Sequence, residues 1–160
     1  MVKRLLSFIL IALLTSCASL PEFDMTHVER SLTPEQVVSE STMHKGKIVL
    51  WGGTILDTRN LKEITQIEVL AHPLDSDNLP IQKSKALGRF IIQYAGFLEP
   101  ATYAQGRELT VLGTIVETKK AKIGDSTYTY PVVSSKQLEL WAPYDQRSNT
   151  SFHFGIGIRL

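Results

Sequence analysis

The sequence is poor in residues by which several protein classes are recognised. It contains one cysteine, Cys17, among 160 residues, so no disulfide can form within the chain. Its 17 Lys and Arg side chains are nearly balanced by 16 Asp and Glu side chains. Because phosphate contacts supply much of the affinity of nucleic-acid-binding proteins, such proteins normally carry a basic excess. The composition therefore argues against a nucleic-acid partner.

Catalytic and metal-binding motifs are lacking as well. The histidines show neither HxH nor HExxH spacing; they are His27, His44, His72 and His153. No serine lies in a GxSxG elbow, and no glycine-rich phosphate loop is present. The sequence therefore predicts no catalytic residue, no metal site and no cofactor. An envelope hydrolase is the opposing hypothesis, and it rests only on Asp57, Glu68 and the histidines.

The single long hydrophobic run covers residues 5–14, which is too short to span a bilayer as a helix. It follows Lys3 and Arg4 and is typical of an export signal. At its end, Leu14, Thr15, Ser16 and Cys17 match a lipobox, in which small residues admit the peptidase and the thiol accepts diacylglycerol. We expect a lipoprotein signal peptide over residues 1–16 and acylation of Cys17. An ordinary secretory signal with a stray cysteine is the alternative.

The expected anchor determines the expected location. Two or more acyl chains hold a protein stably on a membrane, and a residue other than aspartate at Ala18 favours the outer membrane among lipoproteins as a class. We expect attachment through this lipid anchor, most simply on the periplasmic face. Loss of residues 1–16 removes Lys3 and Arg4, which leaves 15 basic against 16 acidic side chains and a formal charge of −1.

Residues 17–45 are polar and lack sustained periodicity, which predicts a tether between the anchor and a folded domain. Within it Thr33, Pro34 and Gln36 match a helix start with a capping box. A short helix over residues 34–40 is therefore expected.

Residues 46–160 consist of short β-rich runs separated by turn residues. A long first strand contains Gly52 and Gly53, where we expect a bulge or sharp bend. A helical turn or two is expected over residues 97–103, and separate strands are expected around residues 128–132 and 138–141. This order predicts an all-β fold: a small OB-like Greek-key barrel of about five to seven strands, with one short helix between strands 3 and 4. A generic β-sandwich is the alternative.

The C-terminal tail alternates large apolar residues with His, Gly and Arg; the apolar ones are Phe152, Phe154, Ile156, Ile158 and Leu160. This pattern predicts a last strand that packs on the barrel or on the tether. The alternatives are contact with a membrane or pairing with the edge of another chain.

Spaced blocks along the chain resemble the starvation-inducible Slp outer membrane lipoproteins. They include Trp51-Gly52-Gly53, Pro73-Leu74-Asp75, Gly88-Arg89-Phe90, Gly96-Phe97-Leu98-Glu99-Pro100, Gly106-Arg107-Glu108-Leu109, Tyr130-Pro131-Val132-Val133 and Leu140-Trp141. The resemblance implies an outer-membrane lipoprotein of stationary-phase and stress physiology, and the family offers no catalytic residues to carry over. The expected anchor and a small barrel without a reactive group of residues favour a structural or protective role in the envelope. Glu99 departs from the aspartate common there, and the tail is shorter than in some members.

Three residues are candidates for ligand binding on the barrel face. Trp51 could stack on a sugar or base, although a tryptophan beside two glycines is more often part of a core. Arg89 and Arg107 could hold an anionic headgroup, or pair with Glu99 or Glu108. These residues define the alternative function, an envelope module that binds a glycan or lipid headgroup. The lysines of residues 119–122 form an expected hairpin tip that could contact lipopolysaccharide or an envelope protein.

Overall fold

The computed structural model describes residues 21–40 and 43–143. In chain order the elements are α1 (Pro34–Ser39), β1 (Ile48–Asn60), β2 (Ile64–His72), β3 (Arg89–Ala95), β4 (Glu108–Ile123) and β5 (Ser126–Leu140). The expected signal peptide, Cys17 and the apolar tail lie outside the described residues. Within the described ranges, no helix has the length and apolar character needed to cross a membrane.

The five strands close into a barrel in the order β1-β2-β3-β5-β4. All neighbours pair antiparallel except β3 and β5, which pair in parallel from Ile91 opposite Val132 to Gln93 opposite Ser134. Closure pairs β1 with β4 over residues 108–114 of β4, and beyond this β4 and β5 continue as a hairpin that pairs only with itself over residues 118–131. This is the arrangement of a five-stranded OB-type barrel, and it confirms the predicted fold class in preference to a sandwich.

Two expected elements differ from the structure. The strands predicted around residues 128–132 and 138–141 are one strand, β5, whose register against β4 shifts at two irregularities. The helix expected between β3 and β4 is a set of turns, in which the Tyr103 N–H donates to the Glu99 carbonyl at 3.0 Å. Gly96 and Gly106, at the two ends of this loop, both have positive φ angles.

One face of β2 and of β3 is buried in the core, whereas residues 108–113 of β4 are buried on both faces. Every second side chain is buried along most of β2 and of β3, as expected of strands with one face on a core. The main buried apolar residues of the barrel are Val49, Ile55, Ile67, Val69, Phe90, Ile92, Leu109, Val111, Ile115 and Val133.

Gly52 and Gly53 lie where β1 pairs with both neighbours, β2 on one side and β4 on the other. A Cβ at Gly53 would overlap the carbonyl oxygen of Leu70. The glycines therefore permit close approach of backbones. The bulge itself lies further along β1, between Ile55 and Asp57, so the predicted position of the bulge was wrong by a few residues.

The described part of the segment before β1 packs on the barrel. Helix α1 has the predicted capping box, in which the Gln36 N–H donates to Thr33 Oγ1 at 3.3 Å and the Thr33 N–H donates to Gln36 Oε1 at 2.8 Å. Val37 on this helix is fully buried in the barrel core. The Glu29 N–H also donates to the Ile48 carbonyl at 2.8 Å. Residues 21–40, for which the sequence predicts a tether, thus contribute to the folded body.

Candidate functional site

Trp51 lies beside a groove between the N-terminal segment and one end of the barrel. The groove has a volume of about 330 Å³. The Trp51 indole N–H donates to the Leu32 carbonyl at 2.7 Å, and its ring meets Phe90 edge-on at a centroid distance of 5.2 Å. Only 6% of Trp51 is exposed. Trp51 is therefore both a core residue and part of the groove wall, and its indole is not an open stacking platform.

The groove is lined by apolar side chains with a few polar groups among them. The apolar side chains are Met25, Leu32, Pro34, Leu50, Trp51, Ala71, Pro73, Leu74 and Leu87. His72 also lines the groove and is 8% exposed, and its Nδ1 has no hydrogen-bond partner in the part of the chain described. A buried polar atom without a partner costs about 1–3 kcal/mol, so His72 is the most distinctive polar group here.

Sequence reasoning did not select His72 as a ligand-binding residue. It ends β2 on the face that the alternation predicts to be wet. Its burial results from the loop after β2 and from the N-terminal segment, which cover this end of the barrel. No local pattern in the sequence predicts that these segments cover His72.

Arg89 lies in a different place, in a network on β2, β3 and β5. Its Nη1 donates to Glu68 Oε1 at 2.8 Å, and the Tyr130 hydroxyl donates to the same oxygen at 3.0 Å. The partner of Arg89 is thus Glu68, and not the Glu99 or Glu108 expected from the sequence. The Arg89 backbone N–H in addition donates to the Tyr128 hydroxyl at 3.0 Å.

This network changes the acidity of its members. Burial and the hydrogen bond to the Glu68 carboxylate raise the pKa of Tyr130 to about 12. Burial alone would lower the pKa of Arg89, but the hydrogen bond and charge of Glu68 outweigh it and raise that pKa. Both shifts hold Tyr130 neutral and Arg89 charged, so the network is a structural ion pair with a supporting hydroxyl.

A second, smaller groove of about 140 Å³ lies on this side of the barrel. Asp57 and Glu68, opposite each other in the β1–β2 register, both line it. Each carboxylate is bound by an arginine, Asp57 by Arg59 and Glu68 by Arg89. Lysines 119 and 122 of the β4–β5 hairpin are exposed and line the same groove.

Arg107 lies apart from both grooves. Its Nη1 donates to the Thr102 carbonyl at 3.2 Å and its Nη2 donates to the Trp141 carbonyl at 2.8 Å. It thereby ties the loop before β4 to the end of β5. The three candidate ligand residues Trp51, Arg89 and Arg107 consequently do not form one site.

The histidines are also separated from the paired carboxylates. His44 faces Glu40, with 3.2 Å between Nε2 and Oε2, and His72 lines the Trp51 groove. Among the described residues there is no group of three His, Cys, Asp or Glu side chains able to hold a metal ion. Asp57 and Glu68 are thus neighbours in a groove that no histidine of residues 21–40 and 43–143 lines.

Fold and grooves together define a small OB-type barrel protein whose N-terminal segment is packed onto the barrel. Residues 14–156 match the family described as Outer membrane lipoprotein Slp family, and the chain belongs to this family. It is accordingly an outer-membrane lipoprotein by family, which confirms the predicted resemblance, membrane association and outer-membrane location.

Three relatives are similar to the chain. An uncharacterized protein of Haemophilus influenzae is 40% identical over 96 residues, which are 59% of this chain and 52% of that protein. The uncharacterized lipoprotein YeaY of Escherichia coli is 27% identical and the outer membrane protein Slp of Escherichia coli is 27% identical. Each of these alignments covers 88% of this chain, with 72% of YeaY and 76% of Slp. The chain thus spans about half the length of the first relative and about three quarters of the other two.

Two solved structures are similar at low scores. One is Schizosaccharomyces pombe Pot1pC bound to single-stranded DNA, with a TM-score of 0.33 and 9% identity over 79% of this chain and 91% of that chain. The other is a Plasmodium falciparum SSB complex with single-stranded DNA, with a TM-score of 0.35 and 18% identity over 71% of this chain and 96% of that chain.

Proposed function

We propose that the protein is a non-catalytic lipoprotein that supports or protects the cell envelope during starvation or stress. In this proposal, residues 1–16 are removed and acylated Cys17 anchors the chain to the periplasmic face of the outer membrane. Residues 17–45 connect the anchor to a barrel domain that begins at residue 46.

The observation that carries the proposal is the attachment of the anchor-bearing segment to the barrel. Residues 21–40 contribute Val37 to the core, and Leu32 accepts the Trp51 hydrogen bond. A segment built into the core holds the barrel at the membrane surface as one unit. This arrangement supports a structural role at the membrane surface.

The pairing of the acidic side chains with arginines supports a non-catalytic role. Glu68 accepts two hydrogen bonds, from Arg89 and Tyr130, and Asp57 is paired with Arg59. Carboxylates held in this way stabilise the sheet, and a general acid or base would need an open partner instead.

Metabolic labelling with radioactive palmitate tests the anchor. The wild type should incorporate the label and sediment with outer membranes, whereas Cys17→Ser should incorporate none. Ser16→Ala is the matched control, because alanine keeps a small residue before the cysteine and should leave labelling unchanged. Absence of label in the wild type, or equal label in Cys17→Ser, would refute the anchor.

Complementation of a deletion strain in stationary phase tests the role. Loss of the gene should increase sensitivity to detergent, and the wild type should restore resistance where Cys17→Ser does not. Asp57→Asn should restore resistance fully. If an anchored, folded Asp57→Asn protein failed to protect, the enzymatic hypothesis would replace this one.

A further inference from the structure

The Trp51 groove has the size and lining of a small-molecule site. Its volume of about 330 Å³ falls within the roughly 300–1,000 Å³ typical of ligand pockets. Leu50, Leu74 and Leu87 contribute apolar surface next to Trp51. Pockets of this kind bury the apolar body of a ligand and orient it through a few polar groups.

The polar groups of the groove favour an anionic ligand. His72 lines the groove, and its buried Nδ1 lacks a partner among the described residues. Arg30 also lines the groove and forms none of the ion pairs found in the described part of the chain. Asp75 also lines the groove, but its Oδ1 accepts the backbone N–H groups of Asp77 and Leu79 in a turn. Arg30 offers a charge-assisted donor to a carboxylate or phosphate head, and His72 lines the same groove.

The groove is also close to the expected membrane anchor. Asn78 lines both this groove and a neighbouring depression that contains Pro21 and Phe23. Only four residue steps separate Pro21 from Cys17, which span at most about 14 Å when extended. If Cys17 is acylated, the groove lies within reach of the bilayer surface, where single-chain lipids are the available amphiphiles.

We propose that the groove beside Trp51 and His72 binds a single-chain amphiphile with an anionic head, such as a long-chain fatty acid. The acyl chain contacts the leucines and Trp51, and the head is bound by Arg30 and His72. This inference rests on the anchoring of Cys17 proposed above, which brings the groove to the membrane surface. A glycan is disfavoured because the Trp51 ring is buried against Phe90.

Fluorescence quenching of Trp51 by a brominated fatty acid tests this proposal. The chain has two tryptophans, so full-length acylated protein carrying Trp141→Phe reports on Trp51 alone, and it is reconstituted in nanodiscs. Dibromostearic acid should quench Trp51 saturably, and unbrominated stearic acid should compete. A brominated lysophospholipid is titrated in parallel, because a fatty acid and a lysophospholipid are the two sources of a single acyl chain. Saturable quenching of Trp51 by either one supports the site.

Substitutions in the groove should weaken the quenching. Arg30→Gln and His72→Gln should each raise the apparent Kd by ten-fold or more. Arg59→Gln is the matched control, since Arg59 lines the other groove, and it should leave the Kd unchanged. Circular dichroism checks that each variant is folded.

The outcome that overturns the proposal is quenching that rises linearly with bromolipid and is the same in Arg30→Gln, His72→Gln and Arg59→Gln. That result means partition into the bilayer without a site. Palmitate labelling is scored separately, so failure of the groove is distinguishable from failure of the anchor.

Discussion

The indole N–H of Trp51 donates to the carbonyl of Leu32 across 2.7 Å, and this bond joins two residues that are 19 positions apart. Leu32 belongs to the segment that leads from the expected anchor, and Trp51 belongs to the strand that pairs with both β2 and β4. The bond therefore makes the N-terminal segment part of the same folded unit as the barrel.

Trp51→Phe should lower the free energy of unfolding by about 1–3 kcal/mol, because it leaves the Leu32 carbonyl without its donor. Urea denaturation followed by circular dichroism measures the change. Phe97→Ser is a suitable control because Phe97 is 68% exposed, and it should change stability by less than about 0.5 kcal/mol. A Trp51→Phe protein as stable as the wild type would show that the bond adds nothing to stability.

Val37→Ala should destabilise the protein by about 2 kcal/mol, because two buried methyl groups are removed and a cavity remains. Limited proteolysis should also cut residues 21–45 faster in this variant, because Val37 attaches α1 to the barrel core. Val38→Ala alters the adjacent, half-buried position and should have a smaller effect on both measurements. Equal effects of the two substitutions would contradict the packing of α1 described above.

Gly53→Ala should destabilise the barrel by more than about 2 kcal/mol, because the new Cβ would overlap the Leu70 carbonyl oxygen and force β1 and β2 apart. Thermal unfolding measures the loss. Gly124→Asn is the control: the hairpin position has open space and a φ of 58°, which asparagine tolerates. It should remain within about 1 kcal/mol of the wild type. A Gly53→Ala protein of unchanged stability would exclude the close approach.

The raised pKa of Tyr130 predicts a specific dependence of stability on pH. Below pH 10 the tyrosine is protonated in both states, and its contribution is fully present. Between pH 10 and about 12 the folded state binds more protons than the unfolded state, so the free energy of unfolding falls as pH rises. The loss should reach about 2 kcal/mol. Urea denaturation at several alkaline pH values measures it.

Tyr130→Phe should remove this alkaline component, because no proton is left to lose at that position. Tyr94→Phe should retain it, since the Tyr130–Glu68 bond is intact in that variant. Because the chain has five tyrosines, the pKa of the Tyr130 hydroxyl is taken from the difference in absorbance near 295 nm between the wild type and Tyr130→Phe. If the free energy of unfolding of Tyr130→Phe fell with rising pH as steeply as that of the wild type, the pH dependence would come from another group.

Local structure was predictable from the sequence where it depends only on residues that are close together in the chain. The alternation of β2 and β3 follows from one face of a strand being buried, and the start of α1 follows from Thr33 and Gln36 satisfying each other's backbone N–H groups. The position of the first bulge and the continuity of β5 were not predictable in this way. Both depend on the register between distant strands.

The candidate site was less predictable than the fold. Trp51 could be selected as a residue of interest, but its partners Leu32 and Phe90 and the neighbouring His72 could not. They meet only because the segment before β1 folds back over one end of the barrel. Arg89 could likewise be selected from the sequence as a candidate, but its partner Glu68 lies on the neighbouring strand β2.

The sequence by itself determined the family, the barrel class and the expectation of an anchor at Cys17, because lipobox spacing, strand alternation and turn residues are local patterns. The tertiary structure alone decided that residues 21–40 pack on the barrel, and that Trp51, Arg89 and Arg107 lie in three separate places. It also decided that His72 is buried beside a groove. These features follow from contacts between residues far apart in the chain, whose energies depend on closure of the barrel and leave no periodic trace in the sequence.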